Sequence, residues 1–229
     1  MLTPAPTFSR DTFRFFRDLA GNNKKTWMDA NRERYQQCVV QPFRQLLDVT
    51  APLVLQLDSR FDTSGRTGVN FSRINRDIRF AKDKTLYNTQ MYLRFSAMFP
   101  GGRESGQLYA GISVNTATVG YAIYTGSKRK ESPLALIAEP RVQAKPKWLA
   151  QQKKRLGRRY ESYWYTSEKG KWTRHDGWPL AAEDWKKLQG WVVRRKLTPA
   201  FAMSASYVAD LAKAFRELYP LLRFTSLPD

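Results

Sequence analysis

The sequence is poor in the residues on which many catalytic and metal centres depend. Its 229 residues include one cysteine, Cys38, and one histidine, His175. A single cysteine excludes an internal disulfide framework and a multi-cysteine zinc site. One histidine excludes a histidine-rich metal set, and no nucleophile elbow, P-loop or dinucleotide-binding fingerprint occurs. Enzyme classes with strong sequence signatures are therefore disfavoured, whereas an enzyme built from Asp, Arg, Lys and Tyr stays open.

Long apolar runs are also absent. No stretch approaches the roughly 18 apolar residues that span a bilayer, and residues 1–10 lack the basic region and apolar run of a secretory signal. A chain without disulfides fits a reducing compartment, so we predict a cytoplasmic protein with no membrane span. No cofactor is evident, but Mg²⁺ held by carboxylates stays open because such a site needs few protein ligands.

Positive charge is abundant. The chain has 39 Lys and Arg against 20 Asp and Glu, a formal charge of +19 and a pI near 10.2. A field of this sign attracts nucleic acid or another anionic ligand; the alternative is a solvated surface with a basic composition bias. The apolar content of 42% and aromatic content of 14% suffice for a sizeable core. We therefore predict that residues 1–229 form a single domain.

Helical spacing of apolar residues marks both ends of the chain. The pattern predicts a first helix that follows Ser9 and ends near Gly21, and a second helix from Asn22 that Pro42 and Pro52 kink or interrupt. From Ser204 onward, apolar residues recur with the period of an amphipathic helix.

Alternation of apolar and polar residues marks the middle. Residues 91–96 alternate like a half-buried strand, residues 107–124 like a β-hairpin, and residues 160–165 indicate an aromatic strand. Strands between terminal helices predict an α+β fold with a central, mostly antiparallel sheet flanked by N-terminal and C-terminal helices.

A basic, divergent segment spans about residues 128–160. It holds eleven basic and two acidic residues, and residues 147–156 are expected to be helical. The aromatic side chains within and just after this segment, Trp148, Tyr160, Tyr163, Trp164 and Tyr165, either stack on unpaired bases or belong to the core. The cations predicted to form a nucleic-acid surface are Lys128, Arg129, Lys130, Lys153, Lys154, Arg155, Arg158 and Arg159.

The densest group of charges lies in residues 71–89, which read FSRINRDIRFAKDKTLYNT. If residues 74–80 form a strand, Arg76 lies on the apolar face with Ile74 and Phe80. An unpaired buried guanidinium costs several kcal/mol, so Asp77 or Asp83 is expected to pair with Arg76. The segment is either a local ion-pair network or an anion pocket. In the second case the anion-binding residues are Arg73, Arg76, Arg79, Lys82 and Lys84.

The same segment supplies candidate catalytic residues. Asp77 or Asp83 would act as a general base or Mg²⁺ ligand, and Tyr87 could donate a proton. The leading hypothesis is nonetheless an anion-binding protein for nucleic acid or a phosphate-bearing ligand. The alternatives are an enzyme acting on a phosphorylated or carboxylated small molecule, and a structural or protein-interaction module.

The charged segment resembles the signature of domain-of-unknown-function family 2461, a family of bacterial and fungal proteins. That signature runs roughly Arg-x-x-Arg-Asp-x-Arg-Phe-x-x-Asp-Lys-x-Pro-Tyr-Lys. The residues that fit it are Arg73, Arg76, Asp77, Arg79, Phe80, Asp83, Lys84 and Tyr87.

The likeness is best over residues 8–125, where Asn22, Asn23 and Trp27 also resemble the family's opening. Leu86 and Asn88 depart from the usual Pro and Lys, and the loss of a lysine weakens the anion-binding interpretation at that edge. The resemblance supports the fold and the choice of site, and it implies no activity.

Overall fold

The computed structural model of the chain describes residues 7–96, 106–124, 133–168 and 171–226. Its α-helices are α1 (Arg10–Gly21), α2 (Lys25–Ala30), α3 (Arg32–Tyr35), α4 (Gln41–Leu57), α5 (Pro133–Ala144), α6 (Trp148–Leu156), α7 (Ala182–Lys187), α8 (Pro199–Ala202) and α9 (Tyr207–Ser226). Its strands are β1 (Gln90–Ser96), β2 (Gln107–Ser113), β3 (Ala117–Tyr124), β4 (Glu161–Glu168), β5 (Lys171–Asp176) and β6 (Leu188–Leu197).

The strands form one antiparallel sheet in the order β1-β2-β3-β6-β4-β5. Helices precede it at the N-terminus and follow it at the C-terminus, so the predicted α+β class is confirmed. The hairpin predicted at residues 107–124 is present, and its turn is closed by a hydrogen bond from the Ser113 amide to the Thr116 carbonyl (2.9 Å). On β1, the side chains of Met91, Leu93 and Phe95 are buried as the alternation requires.

The N-terminal helices differ from the prediction in where the chain breaks. Helix α1 begins after Ser9, as expected, but the predicted second helix is divided into α2, α3, a π-helical turn (Gln36–Val40) and α4. The first break lies at Asn31, whose side-chain amide donates to the Trp27 carbonyl (2.9 Å). Pro42 lies in the first turn of α4, where its missing N–H costs little. The helix continues through Pro52.

The chain divides into two compact units, and the single-domain organisation stays a prediction. Unit 1 contains the described residues up to Phe95, with 109–119 and 196–213. Its core includes the fully buried Phe15 and Phe16 of α1 and Phe43 of α4. The Phe8 ring packs edge-on against Phe43 with a centroid separation of 5.1 Å.

Unit 2 contains residue 96 and the described parts of 106–108, 120–195 and 214–226. Trp191 is fully buried at its centre, with the Tyr121 and Trp185 rings each 5.5 Å away. The Trp185 indole donates to the Pro179 carbonyl (2.9 Å), and the buried Tyr121 hydroxyl bonds that of Thr225. Aromatic side chains thus form much of this core, and the buried polar groups of Trp185 and Tyr121 have hydrogen-bond partners.

No helix in the described part of the chain is both long and apolar enough to cross a membrane.

Candidate functional site

The charged segment is an irregular loop, and the strand considered for residues 74–80 does not form. Phe80, which that strand would have buried, is 96% exposed. Short antiparallel contacts hold the loop together instead. The Arg76 amide donates to the Leu86 carbonyl (2.9 Å), and the Asn88 amide donates to the Ile74 carbonyl (2.7 Å). Backbone hydrogen bonds therefore join the two ends of the loop, near residues 74–76 and 86–88, while its tip around Phe80 is exposed to solvent.

Asn23 anchors this loop to the N-terminal helices. Its side-chain amide donates to the Tyr87 carbonyl (2.8 Å), and its side-chain oxygen accepts from the Tyr87 amide (2.9 Å). Tyr87 is buried, with 7% of its surface exposed. Because Asn23 satisfies both backbone groups of Tyr87, this pairing gives Asn23 and Tyr87 a positioning role in the loop.

Two of the five predicted anion-binding cations are neutralised inside the loop. Arg76 pairs with Asp83 (2.5 Å) and also bonds the Thr85 hydroxyl, and Arg79 pairs with Asp77 (2.7 Å). The expectation that an aspartate accompanies Arg76 is thus met by Asp83. In this respect the loop is the ion-pair network that the sequence offered as one of two interpretations.

The two carboxylates are strongly acidic. The hydrogen bond from Arg79 lowers the pKa of Asp77 to about 2. The Thr85 backbone amide, followed by Arg76, lowers the pKa of Asp83 to about 2. A general base works best when its pKa lies near the working pH. These carboxylates are therefore suited to holding arginines in place, and their catalytic role stays a prediction.

The remaining cations of the loop have different surroundings. Lys84 donates to the Ile78 carbonyl (3.1 Å) near the tip, and Lys82 is exposed there. Arg73 is also exposed and forms no ion pair among the described residues. Arg73 and Arg76 are the two predicted anion-binding residues that face a hollow.

We call this hollow the polar hollow; its volume is about 480 Å³. It is lined by Gly68, Ser72, Arg73, Asn75, Arg76, Asp77, Asn88 and Arg94. Gly68 has a φ of 89°, which favours glycine, and a side chain there would lie about 3.6 Å from the Arg73 guanidinium. At that distance a Cβ would make only an ordinary van der Waals contact, so the backbone conformation is what favours glycine at this position.

Arg94 is a site residue that the charged segment did not predict. It lies on β1, and its Nη2 donates to the Gly68 carbonyl (3.0 Å). Its Nε is buried and has no hydrogen-bond partner among the described residues, and burial lowers the pKa of the guanidinium. The strand alternation placed Arg94 on the polar face of β1, but nothing in the sequence placed β1 beside Gly68 and Arg73.

A second cavity of about 240 Å³ adjoins the first, and we call it the apolar hollow. The two share Ser72, Arg73 and Asn75. The other lining residues are Tyr35, Val40, Arg44, Thr67, Phe71, Ile74 and Met91. Tyr35 immediately precedes the π-helical turn and Val40 is its last residue. Such a deviation from α-helix often occurs at functional sites. Burial raises the pKa of Tyr35 to about 12, so its hydroxyl is neutral at physiological pH.

The predicted nucleic-acid surface lies in unit 2, and only part of it is described. Lys128, Arg129 and Lys130 lie outside the described residues. Arg155 donates to the Glu217 carbonyl and Arg159 pairs with the Glu217 carboxylate (2.7 Å), so both tie α6 and the turn after it to α9. Of the remaining cations of this predicted surface, Lys153, Lys154 and Arg158 are exposed and form no ion pair among the described residues.

The aromatic residues within and just after the basic segment are divided between core and surface. Tyr160 and Tyr163 are buried, and Trp148 stacks on Phe224 with a centroid separation of 4.1 Å. Trp164 and Tyr165 on β4 are half-buried.

Within the described residues, no three His, Cys, Asp or Glu side chains are grouped closely enough to hold a metal ion. The lone histidine, His175, stacks on Trp164 at 4.3 Å and bonds the Thr166 hydroxyl (2.9 Å). Both contacts join β5 to β4.

A family model described as conserved hypothetical protein (DUF2461) matches residues 11–224. The match confirms the resemblance and extends it beyond residues 8–125, across the basic segment and into α9. No curated protein matches the chain.

Proposed function

We propose that this chain, which belongs to the DUF2461 family of conserved hypothetical proteins, is a binding protein for small molecules that carry a phosphate or carboxylate group. The anionic group would lie in the polar hollow beside Arg73 and Arg94. Guanidinium groups suit this role because their planar N–H donors match the oxygens of phosphate and carboxylate.

The supporting observation is that Arg73 and Arg94 border one solvent-open hollow without a carboxylate partner among the described residues. The third arginine, Arg76, is held by Asp83, and the lining carboxylate of Asp77 is held by Arg79. The aspartates therefore neutralise their own arginines and leave the charge of the other two uncompensated. An anion in the hollow would supply the missing counter-charge to the partly buried Arg94.

The apolar hollow indicates what else the ligand carries. Tyr35, Val40, Phe71 and Met91 line it, and it meets the polar hollow at Arg73. A ligand with its anionic group at Arg73 could place a small apolar group against these side chains. Such a combination of apolar lining with a few charged groups is typical of ligand pockets.

Titration calorimetry with inorganic phosphate, pyrophosphate and a short-chain carboxylate tests this proposal. We expect Arg73→Met to weaken binding by about ten-fold or more, since a hydrogen bond to a charged group contributes about 1.5–3 kcal/mol. Lys82→Met is the matched control, because it removes one positive charge from the same loop outside both hollows. Equal loss in the two variants would mean that net charge, and no specific site, attracts the anion.

The enzyme hypothesis for Asp77, Asp83 and Tyr87 stays a prediction, as do the interaction-module hypothesis and the cytoplasmic location. The acidity of both aspartates and the burial of Tyr87 favour binding over proton transfer at this loop.

A further inference from the structure

A second surface lies in unit 2, on one face of the strands β4, β5 and β6. Tyr165 of β4 is opposite Arg174 of β5 and Gly190 of β6, and Ser167 is opposite Trp172. Residues opposite each other in an antiparallel pair point to the same side of the sheet. Tyr165, Trp172 and Arg174 therefore share one face, and on β6, the strand on the other side of β4, the position beside Tyr165 is Gly190, which has no side chain.

Three aromatic rings meet on this face. The Tyr165 and Trp172 ring centroids are 5.5 Å apart, and Tyr124 lies 6.3 Å from Tyr165 and 6.2 Å from Trp172. Tyr124 is 45% exposed and Trp172 is 41% exposed. We call these three residues the aromatic platform. A Cβ at Gly190 would lie 2.6 Å from the Tyr124 ring, so only glycine lets this ring lie over β6.

The guanidinium group of Arg174 lies next to the aromatic platform on the same face of the sheet. The Arg174 guanidinium lies 4.0 Å from the centroid of the Tyr163 ring, and the Tyr163 and Tyr165 rings are 5.8 Å apart. Arg174 uses Nε (2.9 Å) and Nη2 (2.7 Å) to contact one oxygen of Asp176. A guanidinium has five N–H donors, so Arg174 keeps donors for a further acceptor.

We propose that the aromatic platform binds single-stranded nucleic acid, with bases stacked on Tyr124, Tyr165 and Trp172 and a phosphate at Arg174. Every base has a π face, so stacking on exposed rings binds single strands with little regard to sequence. The chain's charge of +19 favours a polyanion over a neutral proline-rich peptide or sugar, which exposed aromatic surfaces also bind. This surface shares no residue with the polar hollow or the apolar hollow, and the proposal stands without the proposed function.

Because the arginines beside the platform are ion-paired, we expect the affinity for single-stranded nucleic acid to depend only weakly on salt concentration. Arg174 is paired with Asp176 and Arg194 with Glu161 (2.6 Å), so the platform adds little net charge of its own. Binding through stacking and one or two phosphates gives a slope of log affinity against log salt of about −0.7 to −1.4. A protein that binds through a broad basic surface would show a much steeper slope.

The test is fluorescence anisotropy with the full chain and a labelled oligothymidine of about fifteen nucleotides, since one OB fold of a single-strand binder covers about 4–16 nucleotides. We expect Trp172→Ala and Tyr124→Ala each to weaken binding by about five-fold or more, and Trp172→Phe to retain most of it. Thr173→Ala is the matched control, because Thr173 is exposed on the same strand but points to the opposite face. Thermal unfolding checks that each variant remains folded.

Several results would overturn the proposal. These are the absence of binding at low salt, equal affinity for a duplex of the same length, and unchanged affinity in both alanine variants. Loss of oligonucleotide binding in Arg73→Met would place the strand at the polar hollow instead. Tighter binding of a proline-rich peptide or an oligosaccharide, lost in Trp172→Ala, would keep the surface and replace its occupant.

Discussion

Under the proposed function, the side chain of Arg94 would contribute to anion binding at the expense of stability. Its guanidinium is partly buried, its Nε has no hydrogen-bond partner among the described residues, and its Nη2 donates to the Gly68 carbonyl. A buried charge without a counter-charge destabilises the folded state. Such an arrangement makes sense where a bound anion completes the interaction.

This arrangement predicts opposite effects of Arg94→Met on binding and on stability. Met fills a similar space without the charge, so we expect phosphate binding to be lost. The free energy of unfolding in urea should stay the same or rise by about 1 kcal/mol. Arg73→Met is the comparison, since Arg73 is exposed and its removal should leave stability unchanged. A fall of more than about 1 kcal/mol in Arg94→Met would instead mean that the arginine is a structural residue whose bond to Gly68 matters more than its burial.

At the scale of elements, the charged loop is stabilised by acidic groups that titrate together. Asp77 and Asp83 have pKa values of about 2, below the ordinary value of 3.8, because arginines and backbone amides bind their ionised forms. A lowered carboxyl pKa contributes stability that is fully present above about pH 4 and is lost as the pH falls toward 2.

We therefore expect the thermal midpoint of the wild-type chain to fall more steeply between pH 4 and pH 2 than that of the Asp77→Asn, Asp83→Asn double variant. Asp48→Asn is a suitable control, because Asp48 is exposed and forms no ion pair among the described residues. Parallel curves for wild type and double variant would show that the loop's ion pairs add no stability.

The sequence predicted elements well where one face is buried. The alternation of residues 91–96 and the helical spacing after Ser204 both arise from burial of one face, and both elements form. Strand β5 was missed because it is the edge of the sheet and nearly all its residues are exposed, so no alternation marks it. In the charged loop, the spacing of the apolar residues Ile74 and Phe80 suggested a strand. That strand does not form, and Phe80 is exposed to solvent.

The sequence predicted only part of the candidate site, because local patterns reveal only residues that are close together in the chain. Arg73 and the aspartate partner of Arg76 follow from charges close together in sequence. Arg94 and Tyr35 come from a strand and a helix outside the loop. Their place beside Arg73 depends on packing within unit 1, which no local pattern encodes.

For the whole molecule, the charge of +19 has a cost, because like charges repel one another more strongly in the folded chain than in the extended one. Salt screens this repulsion over a Debye length of about 10 Å at 0.1 M. Lys153, Lys154 and Arg158 are exposed and form no ion pair among the described residues, so their removal isolates the effect of charge alone.

We expect the triple variant Lys153→Gln, Lys154→Gln, Arg158→Gln to have a higher thermal midpoint than wild type at low salt, and the two midpoints to converge as sodium chloride is added. Lys153→Arg with Lys154→Arg keeps the charge and should behave like wild type. If these cations also bind nucleic acid, the triple variant should lose about 0.7 in salt slope for each phosphate contact removed. A higher midpoint with unchanged oligonucleotide affinity would identify this surface as composition bias and leave the aromatic platform as the binding site. A lower midpoint would show that the three side chains stabilise the fold and that self-repulsion is not their main effect.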